Sequence, residues 1–490
     1  MRRRHQTPLL LGTAAALLLT GCAEGRTDGG YRAADAPAVT RAPATPAPLP
    51  SSDDDHLSTF ALDVDTASWD YARRTLAEDR LPDPATVRPE EFVNSFRQDY
   101  DRPAGGGFTV TVDGARTDDP HWSLVRVGLA TRAADPAGER PPAALTFVID
   151  VSGSMAEPGR LDLAKESLGV MTDQLRDDDS VAVVTFSGRA ETVLPMTRLG
   201  EGRDEVHDAI AYLEPTDSTD LGAGVETGYQ TAVAGLREGA TNRVVLVSDA
   251  LANDGDTDAD TILERVADER REHGITLFGV GVGSDYGDAL MERLADRGDG
   301  HTAYVSSARE AREVFGERLP GAVGLTARDA KAQVAFDPGT VEEYRLIGYD
   351  DRRVAADDFR DDAVDGGETG PGHTVTALYA VRTAPGAAGH LATATVRWLD
   401  PGTRAPREAS GELTAGALDD SVWTADRGLA TAATAAYFAA ALRGRDPDAA
   451  LPGAPDLGEL AGHAGRLAAG TADGQVRELA AAIATARRLT

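Results

Sequence analysis

Cysteine is nearly absent from this 490-residue sequence, in which Cys22 is the only one. A single cysteine has no partner for a disulfide within the chain. Aromatic residues are also scarce, at 5% of the chain, which leaves few large side chains to anchor a core. The hydrophobic content of 41% still permits ordinary cores, and the length suggests about three domains.

Basic residues are few relative to acidic ones. The sequence has 49 Lys and Arg against 80 Asp and Glu, which gives a net charge of −31. Such a surface repels the phosphates of nucleic acid and the head groups of anionic lipids, so we expect no nucleic-acid partner. The acidic residues occur in short pieces along the whole chain, which indicates a solvated surface.

Several enzyme signatures are missing as well. The G-x-S-x-G pattern of a nucleophile elbow does not occur around Ser152 or Ser154. Residues 279–283 are glycine-rich but lack both the G-x-G-x-x-G spacing and the Lys-Ser/Thr ending of phosphate loops. The acidic run 253–260 has no Gly at the sixth position and no Glu at the twelfth position of a calcium-binding EF-hand loop, and it predicts a loop that caps a helix. We therefore expect a protein that is not an enzyme.

The first 22 residues have the pattern of a bacterial secretion signal. Arginines at positions 2–4 precede an apolar run from Leu9 to Leu19, which is too short to span a bilayer comfortably. The run ends in LTGC, which resembles the lipobox of bacterial lipoproteins. This resemblance implies cleavage before Cys22, lipidation of its thiol, and a location on the extracellular face of the bacterial cytoplasmic membrane, with membrane contact only through the lipid anchor. Residues 23–56, rich in Ala, Pro, Thr and Gly, predict a flexible linker.

The most informative stretch is ALTFVIDVSGSM, at residues 144–155. Its apolar run from Leu145 to Ile149 predicts a buried strand, and Asp150, Ser152 and Ser154 follow at once. Ligands of an open α/β sheet bind beyond the carboxyl ends of its strands, so these side chains lie where a site is expected. One carboxylate and two hydroxyls suit a hard divalent cation such as Mg²⁺.

The DVSGS motif resembles the first segment of the metal-ion-dependent adhesion site of von Willebrand factor type A domains. Two further segments follow in the family's order: a loop with Thr219 before a predicted helix, and Asp249 after the apolar strand 244–247. The resemblance implies that Mg²⁺ or Mn²⁺ is held, directly or through water, by Asp150, Ser152, Ser154, Thr219 and Asp249. The family usually has glycine after the last aspartate, where this chain has Ala250. An alternative is that the two serines only cap the helix that follows.

The order of elements predicts an α/β fold. Strands and amphipathic helices alternate over residues 142–322, as a doubly wound, mostly parallel sheet requires. This Rossmann-like pattern, without a dinucleotide fingerprint, is the fold that the resemblance to von Willebrand factor type A domains implies.

The flanking regions predict a β-sandwich-like domain and a helical C-terminus. Residues 57–100, with a short strand and two helices, resemble the N-terminal module of a family of bacterial von Willebrand type A proteins. Residues 323–415 predict strands and resemble the C-terminal domain of the same family. Residues 101–141 predict further strands, and we hypothesise that they complete one sandwich into which the central domain is inserted. Residues 416–490 are Ala-rich and predict helices.

The resemblance implies a metal-dependent binding protein. Neutral hydroxyls leave a cation short of negative charge, so a carboxylate from a protein partner can complete its coordination. We expect that acidic side chain to lie in neutral or basic surroundings, because the acidic chain would slow the approach of an acidic partner. Two alternatives remain open: a structural or assembly component of the cell envelope with a metal-stabilised or degenerate site, and a metal-assisted hydrolase.

Overall fold

The structure is a computed structural model that describes residues 56–62, 66–132, 140–216, 218–249, 259–266, 272–282, 291, 294, 302–305, 307–315, 325–362, 364, 366–444 and 451–490. The predictions for Cys22, the linker up to residue 55, Ala250 and residues 253–258 lie outside these residues. Within the described ranges, no helix combines the length and the apolar character needed to cross a membrane.

The first group of elements in chain order precedes the central region. It consists of β1 (Leu57–Ala61), α1 (Ala67–Ala77), α2 (Pro89–Asn94), β2 (Phe108–Arg116) and β3 (Trp122–Thr131). The central region contains β4 (Ala143–Asp150), α3 (Leu161–Gln174), β5 (Ser180–Phe186), β6 (Ala190–Arg198), α4 (Leu199–Ala211), α5 (Leu221–Ala234), β7 (Thr241–Ser248), α6 (Ala259–Arg265), β8 (Thr276–Val282), β9 (Thr302–Val305) and α7 (Ala308–Glu313).

The third group follows the central region. Its strands are β10 (Ala327–Phe336), β11 (Val341–Leu346), β12 (Arg353–Val354), β13 (Gly367–Thr369), β14 (Thr374–Thr383), β15 (His390–Leu399) and β16 (Pro406–Thr414). Its helices are α8 (Arg427–Arg443), α9 (Leu457–Ala469) and α10 (Gly474–Leu489).

The central region is a six-stranded sheet in the order β6-β5-β4-β7-β8-β9, as far as it is described. All neighbouring strands are parallel except the edge strand β6, which pairs antiparallel with β5. Strand β4 is buried along its whole length because helices cover both faces: Phe147 packs in the core on the α3 side, and Val148 in the core on the α5 side. Continuous apolar strands of this kind belong to buried parallel sheets. The predicted doubly wound fold is confirmed.

Strands from both sides of the central region share two antiparallel sheets. Strand β14 pairs with β3 along Thr374–Arg382, and β1 pairs with β10 along its whole length. The resulting sheets are β11-β14-β3-β2 and β12-β1-β10-β15-β16, with β13 joined to β10. Their inner faces form one core, with Val127 and Tyr379 from one sheet and Val334 and Val396 from the other. The chain therefore leaves this sandwich after β3, forms the central domain, and returns at β10.

A helical layer joins the two ends of the described chain. Helix α8 is almost entirely buried, and its alanines allow close approach of α2, α9 and α10. Phe92 of α2 meets Phe438 of α8 with ring centroids 6.1 Å apart. The predicted helical C-terminus therefore packs on its own protein, together with the helices that precede the central domain.

Candidate metal centre

Asp150 ends the central strand β4 and is fully buried, with 0% of its surface exposed. Its Oδ1 accepts a hydrogen bond from the backbone N–H of Ser152 at 2.8 Å, and its Oδ2 accepts one from the Ser248 hydroxyl at 2.5 Å. Burial raises the pKa of Asp150 to about 6, with a smaller upward contribution from the charge of Asp249, while the hydrogen bonds from Ser248 and Ser152 act in the opposite direction. A buried carboxylate of this kind fits a position beside a cation.

Ser152 and Ser154 lie on the turn that follows this strand. Their hydroxyl oxygens are 3.1 Å apart, and Ser152 is 0% exposed. In the part of the chain that is described, the Ser152 side chain makes no capping bond to the short turn Gly153–Ala156, and the residue at the N-cap of α3 is Arg160. The structure therefore does not support the alternative that the serines serve as helix caps.

Thr219 lies in the loop that leads into α5 and is 1% exposed. The loop is held against the ends of two strands: the N–H of Thr216 donates to the carbonyl of Val151 at 2.6 Å, and the N–H of Asp220 donates to the carbonyl of Ser187 at 2.7 Å. Asp220 then caps α5 by accepting from the N–H of Ala223 at 3.0 Å. These contacts bring the threonine loop to the same edge of the sheet as Asp150.

Asp249 follows β7 and is 0% exposed. Its Oδ2 accepts from Nη1 of Arg160 at 2.7 Å, and the same nitrogen donates to the carbonyl of Ser154 at 3.0 Å. Arg160 is itself only 2% exposed, and its Nη2 forms an ion pair of 2.9 Å with the more exposed Glu157. One buried guanidinium therefore connects the serine turn to the last aspartate.

Arg160 and Ser248 are parts of this site that the sequence did not reveal. An arginine before a helix and a serine at a strand end are common on surfaces, and no pattern in the sequence distinguishes these two. Their roles depend on the contact between the loops that follow β4 and β7, which only the fold brings together.

The donor set suits a hard cation that keeps part of its water shell. It has two carboxylates and three hydroxyls, all of them oxygen donors of the kind that hard divalent cations prefer. It contains no thiolate or imidazole, which softer transition metals favour. The described residues contain no group of three or more His, Cys, Asp or Glu side chains that could hold a metal ion. The five residues fit Mg²⁺ or Mn²⁺ by chemistry, with Arg160 already compensating the charge of Asp249.

Comparison with known families agrees with this fold. Residues 144–317 match the family model of the von Willebrand factor type A domain. Residues 322–389 match a model described as the C-terminal part of the uncharacterized protein YfbK, and residues 43–123 match one described as von Willebrand factor.

Individual relatives are aligned over part of the chain. The protein is homologous to uncharacterized protein YfbK of Escherichia coli (strain K12), with 38% identity over 333 residues that cover 66% of this chain and 57% of that protein. Identity to uncharacterized protein sll0103 of Synechocystis sp. is 28% over 205 residues, or 41% of this chain and 47% of that protein. The chain thus spans only about half of each relative's length. A solved von Willebrand factor type A structure from Catenulispora acidiphila has 17% identity and a TM-score of 0.46, covering 70% of this chain and 80% of that one.

Proposed function

We propose that this protein, which contains a von Willebrand factor type A domain at residues 144–317, is a cell-surface lipoprotein that binds a protein partner through a divalent metal ion. A domain of this kind indicates a role in protein interaction or adhesion. The observation that supports the finer proposal is the buried Asp150 carboxylate, which lies beside two serine hydroxyls at the carboxyl edge of the sheet.

Each residue of the set has a distinct task in this proposal. Asp150, Ser152, Ser154 and Thr219 would hold the ion, directly or through water, and Ser248 orients the Asp150 carboxylate. Asp249, held in position by Arg160, would also hold the ion directly or through water. A bound Mg²⁺ or Mn²⁺ would supply a coordination position for a carboxylate oxygen of the partner.

The charge of the site supports a carboxylate as the ligand. Arg160 balances Asp249, so Asp150 is left as the carboxylate with no guanidinium among its hydrogen-bond partners in the described residues. The hydroxyls carry no charge. A divalent cation held by this set would keep an excess of positive charge, which favours an anionic side chain from outside. The strongly acidic chain favours a partner that presents this group within neutral or basic surroundings.

The lipid anchor at Cys22 would place this binding site outside the cell, on the extracellular face of the cytoplasmic membrane. The proposal rests on the signal pattern and lipobox-like sequence at residues 2–22. It is tested by metabolic labelling with palmitate: the wild-type protein takes up label and stays with the membrane, and Cys22→Ala does neither. A wild-type protein without label would contradict the anchor and leave the metal site untouched.

Calorimetric titration of Mg²⁺ and Mn²⁺ tests the binding site itself. We expect one ion per wild-type chain, no binding by Asp150→Asn or Thr219→Ala, and unchanged binding by the control Asp83→Asn, which alters an exposed cap residue. Equal binding by wild type and Asp150→Asn would place the ion elsewhere.

The same titration in excess acetate distinguishes the alternatives. Metal affinity that rises with acetate is the expected result, because the added carboxylate takes the partner's position. If wild type binds no ion even then, the metal-dependent proposal is wrong, and a structural role in the cell envelope becomes the better one.

A further inference from the structure

A second polar cluster lies at the amino-terminal ends of the strands of the central sheet, opposite to the proposed metal site. Arg243 is near the start of β7, whereas the metal-site loops follow the ends of the strands, and it is 2% exposed. Its Nε and Nη1 atoms are buried and have no hydrogen-bond partner in the described structure. Its Nη2 lies 3.5 Å from Oε2 of Glu368, which is longer than an ordinary charged hydrogen bond.

The surroundings of this guanidinium add more donors. Nη1 of Arg328 lies 3.8 Å from the other oxygen of Glu368, and Arg328 Nε is also buried without a hydrogen-bond partner among the residues described. Thr276 is the direct neighbour of Arg243 in the β7–β8 ladder, and its buried hydroxyl has no hydrogen-bond partner there either. Two guanidinium groups therefore share one carboxylate, and a buried hydroxyl belongs to the residue paired with Arg243 on the neighbouring strand.

Another buried arginine gives the contrast. Arg126 is 3% exposed, and its nitrogens donate to both carboxylate oxygens of Asp113, to Gln98 at 3.0 Å and to Asp426 at 3.2 Å. Among the described residues, the fold therefore satisfies the guanidinium of Arg126 and leaves Nε and Nη1 of Arg243 without a hydrogen-bond partner.

A buried charge without a full complement of partners is strongly unfavourable. Burial lowers the pKa of Arg243, and the positive charge of Arg328 acts in the same direction against the attraction of Glu368. Water could satisfy the free donors but would not balance the second positive charge. An anion would do both.

We propose that Arg243, Arg328 and Thr276 form a buried site for a small monovalent anion such as chloride, between the central domain and the sandwich. Arg243 and Thr276 belong to the central sheet, and Arg328 belongs to β10 of the sandwich. Glu368 lies so close that a multivalent anion is disfavoured. The anion would stabilise the contact between the inserted central domain and the sandwich. This inference does not depend on the metal centre.

Thermal unfolding of the full-length protein tests the site. At constant ionic strength and pH, replacing sodium gluconate with sodium chloride should raise the Tm of the wild type saturably, by roughly 2–4 °C. Arg243→Met should lose this dependence. The matched control Arg126→Met is expected to lower the Tm while keeping the response to chloride, because it removes a guanidinium that already has partners.

A direct measurement covers the case in which a variant does not fold. Wild-type crystals soaked in bromide should give an anomalous peak within hydrogen-bond distance of Arg243. Equal wild-type Tm values in chloride and gluconate, together with no such peak, would overturn the proposal and leave ordered water as the partner of these donors. A chloride response that persists in Arg243→Met would place the anion elsewhere and overturn the assignment.

Discussion

Asn94 and Thr376 hold each other by two hydrogen bonds although 282 residues separate them in the chain. The Asn94 side-chain amide donates to the Thr376 carbonyl at 2.9 Å, and its Oδ1 accepts from the Thr376 N–H at 2.7 Å. Asn94 ends α2, before the central domain, and Thr376 lies in β14, after it. The pair therefore joins the segment before the inserted central domain to the segment after it, close to the pairing of β3 with β14.

Asn94→Ala is expected to destabilise the sandwich into which the central domain is inserted. The substitution leaves the N–H of the buried Thr376 without the Asn94 oxygen and removes one donor to its carbonyl, which still accepts from the Tyr349 hydroxyl at 2.8 Å. The loss should cost on the order of 1–3 kcal/mol of unfolding free energy in a urea titration. Asn242→Ala is the matched control, because the three hydrogen bonds of the Asn242 side-chain amide all stay within the local turn, to Arg237 and Ala240. We expect a smaller loss there, and an Asn94→Ala protein as stable as wild type would contradict the role assigned to the pair.

Ser248→Ala should weaken metal binding without removing any of the five proposed ligands. The Ser248 hydroxyl donates to Oδ2 of Asp150 at 2.5 Å, so its loss lets the carboxylate turn. Loss of a residue that hydrogen-bonds to a metal ligand commonly lowers metal affinity about 10–100-fold. We expect roughly tenfold weaker Mg²⁺ binding by calorimetry. Ser248→Thr keeps the hydroxyl and should restore much of the loss. Unchanged affinity in Ser248→Ala would mean that Asp150 needs no such support.

Arg160→Gln should bind Mg²⁺ more tightly than wild type. The positively charged guanidinium of Arg160 pairs with Asp249 inside the proposed site, where it repels a cation. Glutamine keeps an amide N–H donor for Asp249 but carries no charge. Removing the repulsion should raise the affinity about tenfold, which corresponds to about 1.4 kcal/mol. Arg160→Lys, which keeps the charge, should stay near wild type. If Arg160→Gln binds more weakly instead, then the orientation of Asp249 outweighs its charge balance.

The residues of the proposed site differ in how far the sequence alone could identify them. Asp150 and Asp249 follow continuous apolar runs that are typical of buried parallel strands, so their position at the carboxyl ends of the strands was predictable. Strand β6 was not predicted, because Pro195 interrupts a segment that is mostly exposed and pairs on one side only. Arg160 could not be assigned to the site, because it binds both the nearby Ser154 and Asp249, which lies 89 residues further along the chain.

The pairing of strands across the inserted domain had a weaker basis in the sequence. Alternating runs on both sides of residues 142–322 indicated strands, but alternation does not fix which strands pair. Besides the adjacent β2, strand β3 pairs with β14, which follows the whole central domain in the chain, and the register of this second pair is set by the shared core around Val127 and Tyr379.

Glu90→Gln should stabilise the protein, and more so as the pH rises. Burial raises the pKa of Glu90, although Arg352 and Arg88 partly oppose the shift, and its Oε2 has no hydrogen-bond partner in the described residues. A carboxyl whose folded-state pKa lies above its unfolded value stabilises the fold below the unfolded pKa and loses that contribution as the pH rises through the folded pKa.

Urea unfolding of wild type and Glu90→Gln at about pH 4 and about pH 8 measures this effect. The two proteins should be close in stability at the lower pH, and the variant should be the more stable one at the higher pH. Glu412→Gln, on the exposed side of β16, is the control and should track the wild type at both. A difference that is largest at the lower pH would contradict a raised pKa for Glu90.

Gly224→Ala should destabilise the central domain although alanine favours helices. Gly224 lies in α5, and a Cβ at this position would come within 2.6 Å of Cγ of the fully buried Phe186 ring. The gain of about 1 kcal/mol in helix propensity is therefore outweighed by overpacking, which costs about 1–3 kcal/mol. Gly465→Ala in α9 is the matched control, because a Cβ there meets nothing within 4 Å, and it should raise the Tm.

The same substitution also connects the core to the proposed site. Phe186 ends β5, and the next residue, Ser187, accepts the N–H of Asp220 that anchors the Thr219 loop. If α5 moves away from Phe186 to admit the new methyl group, that loop moves with it. Gly224→Ala should therefore lose Mg²⁺ affinity as well as stability, whereas Gly465→Ala should keep the affinity of the wild type. A destabilised Gly224→Ala protein with full metal affinity would show that the threonine loop does not depend on this helix contact.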